Sequence, residues 1–309
     1  MREQIKIDFD KIIKTSNFSK DEVKQKKQYL DKFIKNGFPN RKLENWKFSD
    51  INKIIQQNIG KLSYYNDYSS SNKIDTSIFI DGLEHNKIFF INGRVEKIDF
   101  SYEDEEKIEI STNSKLDNEL NNSNSLIDLN SAFTNKSYKI LVKKNYSLRK
   151  PLIIYHTTNK AVNSKNINLR LEFQLEQNSS LRLIDIFNDN TEKNFINIFY
   201  NFDLKKDAIL KNYKIDKRKN KNIKYAFNNI DQDINSISET FILSSGSNFL
   251  KNEINCNLNG KFSSAFVNGI FSLIDNQQHE IRTTINHLSE NTKSYQLVKS
   301  VLGKNSKAI

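Results

Sequence analysis

At 309 residues the chain is long enough for one large domain or two, with a core that buries roughly three quarters of the surface its unfolded form exposes. A net charge of +11 would point to nucleic acid or an anionic membrane, but Lys far outnumbers Arg, the residue suited to bidentate phosphate and base contacts, and Asn, Lys and Ile are enriched in every segment alike, so neither partner is expected. Cys256 is the single cysteine, which excludes an intrachain disulfide; the charged start MREQIKIDFDKIIK carries no secretory apolar region and no run of about 18 apolar residues occurs, so a reducing, cytoplasmic setting is the expectation.

Residues 1–58 read as a small α-helical region. Ile5, Phe9, Ile12 and Ile13 recur at helical spacing over residues 3–14. Ser19 and Glu22 form a capping box ahead of Val23, Lys27, Leu30, Phe33 and Ile34, and Gly37 and Pro39 stop that second helix. A third, short helix begins at Ser49 and carries Ile51, Ile54 and Ile55. A unit this short docks its apolar stripes on the larger C-terminal part of the chain. Trp46, the single tryptophan, is the expected packing anchor between the helices and that part. Residues 59–76, with SYYNDYSSSN, read as a surface connector.

Strand signals fill residues 77–309. The first flank the turn at Asn92-Gly93; the acidic run Glu103 to Glu106 and the Asn/Ser-rich stretch to Ser125 read as solvated loop, and a short helix is predicted over Leu126 to Phe133. Period-two alternation then marks strands at Tyr138–Val142, Leu152–Tyr155, Ile167–Leu175, Leu181–Ile186, Phe195–Phe202, Ile209–Ile215, Ile237–Leu243 and Phe249–Leu258. It continues from Ile254 to Ile309 with breaks at Asn, Gly, Asp or Ser. No helical period is long enough for crossover helices, which excludes a doubly wound α/β fold and leaves a sandwich, a barrel or a solenoid. The length of the uninterrupted β run favours a solenoid, although no strict repeat length is visible.

Chemistry-bearing constellations are weak. Cys256, His85, His156, His279 and His287 lie at no metal spacing, and Cys256 alternates with Ile254 and Leu258 as a buried structural thiol would. Ser244-Ser245-Gly246-Ser247 reads as a turn, and no nucleotide-binding glycine motif occurs. The basic run Lys214 to Lys224 reads as a solvated loop, and Asp231 and Asp233 sit in the polar segment NNIDQDIN. No catalytic residue or metal ligand is assigned. A carbohydrate-active β-helix lyase or hydrolase is the alternative function, on fold analogy alone.

Four stretches nevertheless carry a resemblance: Pro39-Asn40-Arg41-Lys42-Leu43-Glu44-Asn45-Trp46-Lys47-Phe48; Phe89-Phe90-Ile91-Asn92-Gly93; Ile127 to Phe133; and Gln277-Gln278-His279-Glu280 followed by Asn286-His287, Ser294-Tyr295-Gln296 and Lys299. In this order they resemble the SufB/SufD family of iron–sulfur cluster assembly proteins, the SufD branch more closely, with Glu280 where the family usually has Asp. The resemblance implies a right-handed parallel β-helix behind a helical N-terminal region, and a non-enzymatic scaffold. It implies pairing with a SufB-like paralogue through the β-helix, docking of a SufC-like ATPase, and an iron–sulfur cluster carried transiently by the complex, none bound firmly by this chain. His279, His287, Ser294, Gln296 and Lys299 are then expected in rung packing or partner contact. The family's C-terminal helical domain, where the ATPase docks, has no counterpart in this sequence, so a C-terminally truncated chain is the expectation.

Overall fold

Alternating apolar and polar residues give each strand one face to bury, and the chain satisfies this by winding into a β-solenoid of about six turns behind a few N-terminal helices. The computed structural model describes residues 2–64, 78–113, 124–159, 162–189, 193–217 and 220–309. The helices α1 (Arg2–Thr15), α2 (Lys20–Asn36) and α3 (Ile51–Asn58) come first, with a 3-10 turn at Glu44–Trp46 between the last two. Helix α2 starts where Ser19 and Glu22 cap each other reciprocally and ends at Gly37, whose φ of 70° a side chain would resist. Next come β1 (Asn86–Ile91), β2 (Arg94–Asp99), β3 (Ile108–Asn113), α4 (Ser125–Phe133), β4 (Ser137–Val142) and β5 (Leu152–Thr158). The remaining strands are β6 (Asn166–Leu175), β7 (Ser180–Asp189), β8 (Phe195–Leu204), β9 (Ile209–Asp216), β10 (Ile223–Gln232), β11 (Ile237–Ser244), β12 (Phe249–Leu258), β13 (Ser264–Leu273), β14 (Gln278–His287), β15 (Lys293–Leu302) and β16 (Lys307–Ala308).

From β4 onward consecutive strands alternate between two sheets, β15-β13-β11-β9-β7-β5-β1-β2 and β16-β14-β12-β10-β8-β6-β4-β3. Their pairings are parallel, apart from the antiparallel pairs β1–β2 and β3–β4. Leu171, Phe173, Leu183, Phe202, Ile230, Ile254, Cys256 and Leu258 belong to the continuous core enclosed between the sheets. Helices α1 to α4 cover the outer face of the even-numbered sheet, where Phe195, Phe199, Ile223, Tyr225 and Phe249 join the apolar faces of the helices. Among the described residues no helix is long and apolar enough to cross a membrane.

One corner of the solenoid repeats in backbone geometry although not in sequence. Asn178, Asp207, Asn235, Phe262 and Asn291, which follow one another at intervals of 29, 28, 27 and 29 residues, all have positive φ. The N–H of each of the first four donates to the carbonyl just before the next corner residue: Asn178 to Lys206 at 2.9 Å, Asp207 to Ile234 at 2.9 Å, Asn235 to Lys261 at 3.0 Å and Phe262 to Glu290 at 3.3 Å. Asn and Asp tolerate this left-handed conformation, whereas Phe262, with a φ of 63° and its ring exposed, does not.

Three readings from sequence change. Residues 223–232, left in a basic and polar loop, form β10 between β8 and β12, because the polar side chains have partners on adjacent turns. Asn229 donates to Asn201 Oδ1 at 3.0 Å and to Asp231 Oδ2 at 2.7 Å, and Asn257 donates to Asp231 Oδ1 at 2.8 Å, an amide ladder along the outer face. In the supposedly solvated acidic run, Glu103 is buried and accepts from Asn86, Tyr146 and two backbone amides. Of the expected connector, Leu62 and Tyr64 are buried and Ser63 bridges to Lys165, while residues 65–76 lie outside the described residues.

Both ends of the basic run point inward. Lys214 Nζ lies 3.3 Å from Asp185 Oδ2, and Lys224 Nζ lies 3.0 Å from Asp216 Oδ1, all four groups being buried. Asp185 also meets His156 Nε2 at 2.5 Å and accepts from the Tyr200 hydroxyl. Burial alone would raise the Asp185 carboxyl, but the interactions with His156 and Lys214 and the two hydrogen bonds hold it at about 2.

Phe262→Asn should therefore raise stability by about 1 kcal/mol in denaturant unfolding, through relief of the left-handed phenylalanine; a loss would show that the exposed ring has packing of its own. Asp185→Asn leaves Lys214 buried without its carboxylate and should destabilise by about 3–5 kcal/mol at pH 7. A folded carboxyl below its ordinary value of 3.8 stabilises fully above about pH 4 and loses that contribution as the pH falls towards 2. Unfolding free energies at pH 7 and pH 3 should accordingly converge for the variant and diverge for the parent.

Candidate functional site

Parallel pairing places residues from successive turns in rows on the outer face of the even-numbered sheet: Tyr225, Lys251 and Glu280 form one row, and Phe227, Glu253 and Arg282 the next. The helical layer meets the sheet on these rows. The buried Trp46 ring lies 5.7 Å from the Tyr225 ring, and Lys251 Nζ sits 4.6 Å from the centre of the Trp46 ring system. Lys251 ion-pairs with Glu280 Oε2 at 2.7 Å, and Glu280 accepts in turn from Ser49 Oγ at 3.3 Å and Gln278 Nε2 at 2.7 Å. Two of the stretches singled out in the sequence, Pro39 to Phe48 and Gln277 to Glu280, thus meet across this row.

A third stretch, in α4, joins the same layer. Asn130 donates to the carbonyls of Leu169 at 3.1 Å and Asn197 at 2.9 Å, while Asn197 donates to that of Leu126 at 2.8 Å. Buried Lys26 of α2 donates to the carbonyls of Ser131 and Thr134 where α4 ends, a cation matched to the negative end of a helix; burial lowers its pKa to about 8.

His279 is fully buried, its Nδ1 2.8 Å from Ser244 Oγ and its Nε2 2.7 Å from the Ser247 carbonyl, and burial lowers its pKa. Gln277 Nε2 donates to the carbonyls of Ser245, Gly246 and Ser247 at 3.0 to 3.1 Å, and Asp216 accepts from the amide and hydroxyl of Ser247. These groups clamp the turn after β11 and leave Ser244 and Ser247 engaged in structure. His287 lies exposed, 2.7 Å from Thr292 Oγ1 and 3.1 Å from Ser294 Oγ, and Gln296 accepts from Thr283, so Ser294 and Gln296 link β15 to β14 across the solenoid. Lys299 is exposed in register with Ile270. The structure does not bring these five residues together at one point.

Cys256 is buried and its thiol is pushed up to about 12 by that burial. Among the described residues no three His, Cys, Asp or Glu groups are placed to hold a metal ion.

Beside the junction runs a groove of about 600 Å³, lined by Trp46, Asn124, Phe227, Glu253, Asn255 and Arg282 among others. Sequence reasoning missed it, since its walls come from the 3-10 turn, the start of α4 and three strands. The usable signal was the polar residue at alternate positions of β12 and β14, once those strands are set in register.

Replacing Trp46 by Ala should destabilise the protein by roughly 3–5 kcal/mol, as for other buried tryptophans. Denaturant unfolding followed by circular dichroism measures it, and a loss below about 1 kcal/mol would mean that the ring carries no anchoring role.

Comparison with known proteins agrees with this architecture. Residues 156–309 match the family described as SUF system FeS cluster assembly, SufBD core domain. The chain is also similar to the iron–sulfur cluster assembly protein SufD of Escherichia coli, with 22% identity over 293 residues, covering 92% of this chain and 67% of that protein. The matched core runs from within β5 to the last turn of the solenoid, and the chain belongs to the SufB/SufD family of iron–sulfur cluster assembly proteins, most like SufD.

Proposed function

We propose that this chain is a non-catalytic scaffold subunit that pairs through its β-helix with a SufB-like paralogue and works in the cytoplasm with a SufC-like ATPase. The iron–sulfur cluster is cargo of that complex and is bound firmly by no group of this chain. The observation that carries the reading is that the SufBD core match coincides with the solenoid, the part of the fold from β5 to β16. The environment of the reactive groups supports it. Cys256 is a protonated, buried thiol, His279 clamps a turn, and His156 is held between the Phe90 and Phe187 rings against Asp185. Outward residues such as Lys299, Tyr295 and Leu297 are exposed and available to a partner.

The groove beside Trp46 gives the carbohydrate-enzyme reading one point in its favour, because carboxylates, an arginine and aromatic rings line it. Sugar rings, however, stack on open aromatic faces, and Trp46 and Phe227 are 3% and 7% exposed. The scaffold reading is therefore the stronger.

Co-expression with a SufB-like paralogue, followed by affinity capture and size-exclusion chromatography, should yield a stable equimolar complex. Separate elution of the two proteins at micromolar concentration would refute the pairing.

A further inference from the structure

Helices cover the outer face of the even-numbered sheet, whereas among the described residues the outer face of the odd-numbered sheet is covered at one end alone. There Ile78 and Phe79 pack against Phe89, Ile91, Ile153 and Tyr155, and the last two are 0% exposed. Beyond that end, parallel register lays two outward rows across β9, β11, β13 and β15. One row is Tyr213, Phe241, Asn268 and Leu297, and the other is Ile215, Leu243, Ile270 and Lys299. Tyr213, Ile270 and Leu297 are 37%, 42% and 43% exposed, and Ile215, Phe241 and Leu243 are half-buried. A sheet face that met water alone would carry polar side chains at these positions, so a continuous apolar stripe marks a surface that is covered by another element.

The dimensions of the stripe are those of an α-helix. Its rows stand about 7 Å apart and with their side chains match a helix about 10 Å wide. Strands repeat at about 4.8 Å against a helical pitch of about 5.4 Å, so successive helical turns fall over successive strands, and the four strands span about ten helical residues. A depression of about 350 Å³ between Tyr213, Phe241, Phe266 and the shorter Asn268 gives one helical side chain a seat.

Charge narrows the occupant. Glu239, the one carboxylate in the outward rows of these strands, is already paired with Lys211 at 3.4 Å. Lys299 closes the second row on β15, and Arg182 stands beside Lys211 on β7; both are exposed, and among the described residues neither makes an ion pair. We propose that the stripe binds an acidic amphipathic α-helix of a partner protein, laid along the solenoid axis. Its apolar residues, at i, i+3 and i+7, rest on Tyr213, Phe241 and Ile270, and its carboxylates reach Arg182 at one end and Lys299 at the other. This partner is recognised by the single chain, so the proposal stands apart from pairing with a paralogue.

The test uses a fluorescein-labelled peptide of about fourteen residues, with leucine at i, i+3, i+7 and i+10 and glutamate, glutamine and alanine elsewhere, titrated with the full chain and read by anisotropy. Saturable binding is expected. It should be about tenfold or more tighter than for a peptide of the same composition with its leucines scattered around the helix, and than for one with lysine in place of glutamate. Ile270→Glu and Leu297→Glu, both at exposed positions, should each weaken binding about tenfold or more with the circular-dichroism melt preserved, since each buries a charge under the helix. Equal binding of either control peptide, an unchanged affinity in both variants, or no saturation in the micromolar range would each overturn the proposal. A dimer in sedimentation that Ile270→Glu dissociates, with no peptide bound, would overturn it too, by assigning the stripe to a second copy of the chain. Should one variant not fold, the other and the two control peptides still decide.

Discussion

A parallel strand finds its hydrogen-bond partners on the turns before and after it, so among β4 to β16 each paired residue is tied to a counterpart 26 to 33 residues away. That tie decides which polar groups the interior tolerates. Asp185 and Lys214 are direct register partners on β7 and β9, so this buried carboxylate is met by its opposite charge one turn on. The lateral neighbours His156 and Tyr200 complete the shell of Asp185. Buried pairs of this kind add little net stability over apolar side chains, yet either partner alone would be far worse. On the outside the same tie stacks Asn201, Asn229, Asn255 and Asp231 into an amide ladder that reinforces the register the backbone has set.

The local features of this fold were legible because they depend on neighbours in sequence. The Ser19 and Glu22 cap, the apolar positions of α1, and the alternation in Ile167 to Leu175 each express a short-range rule, and each element lies within a residue or two of its expected place. The strand β10 was not legible, since Lys224, Asn228 and Asp231 look solvated until Asp216, the Glu253 carbonyl and Asn257 are brought beside them. The repeat was hidden for a similar reason. Its invariant is a positive φ, which Asn, Asp and Phe occupy in turn, and its spacing drifts from 27 to 29 residues over successive corners.

The junction and the groove show the same limit more sharply. Ser49 and Glu280 are 231 residues apart, and Asn124 and Glu253 are 129 apart. Resemblance picked out Trp46 and Gln277 to Glu280 without indicating that they adjoin. Glu253 belongs to none of those stretches, and its surroundings exist only once β10, β12 and β14 stand in register beside the helices. His279 was grouped with His287, but the interior takes one and leaves the other exposed, because β14 is covered at its start and open at its end.

A stack of near-equivalent turns tends to fray from its ends, each turn depending on its neighbours alone. Here the helical layer works as a splint. Asn130 grips β6 and β8, Asn124 reaches Tyr225 on β10 and Glu253 on β12, and Ser49 holds Glu280 on β14, so five successive strands of one sheet are lashed to a single set of helices. Peeling one turn away then strains the attachment of the others. The lashing turns a column of loosely coupled rungs into a beam, able to carry a load applied at one point to a distant one.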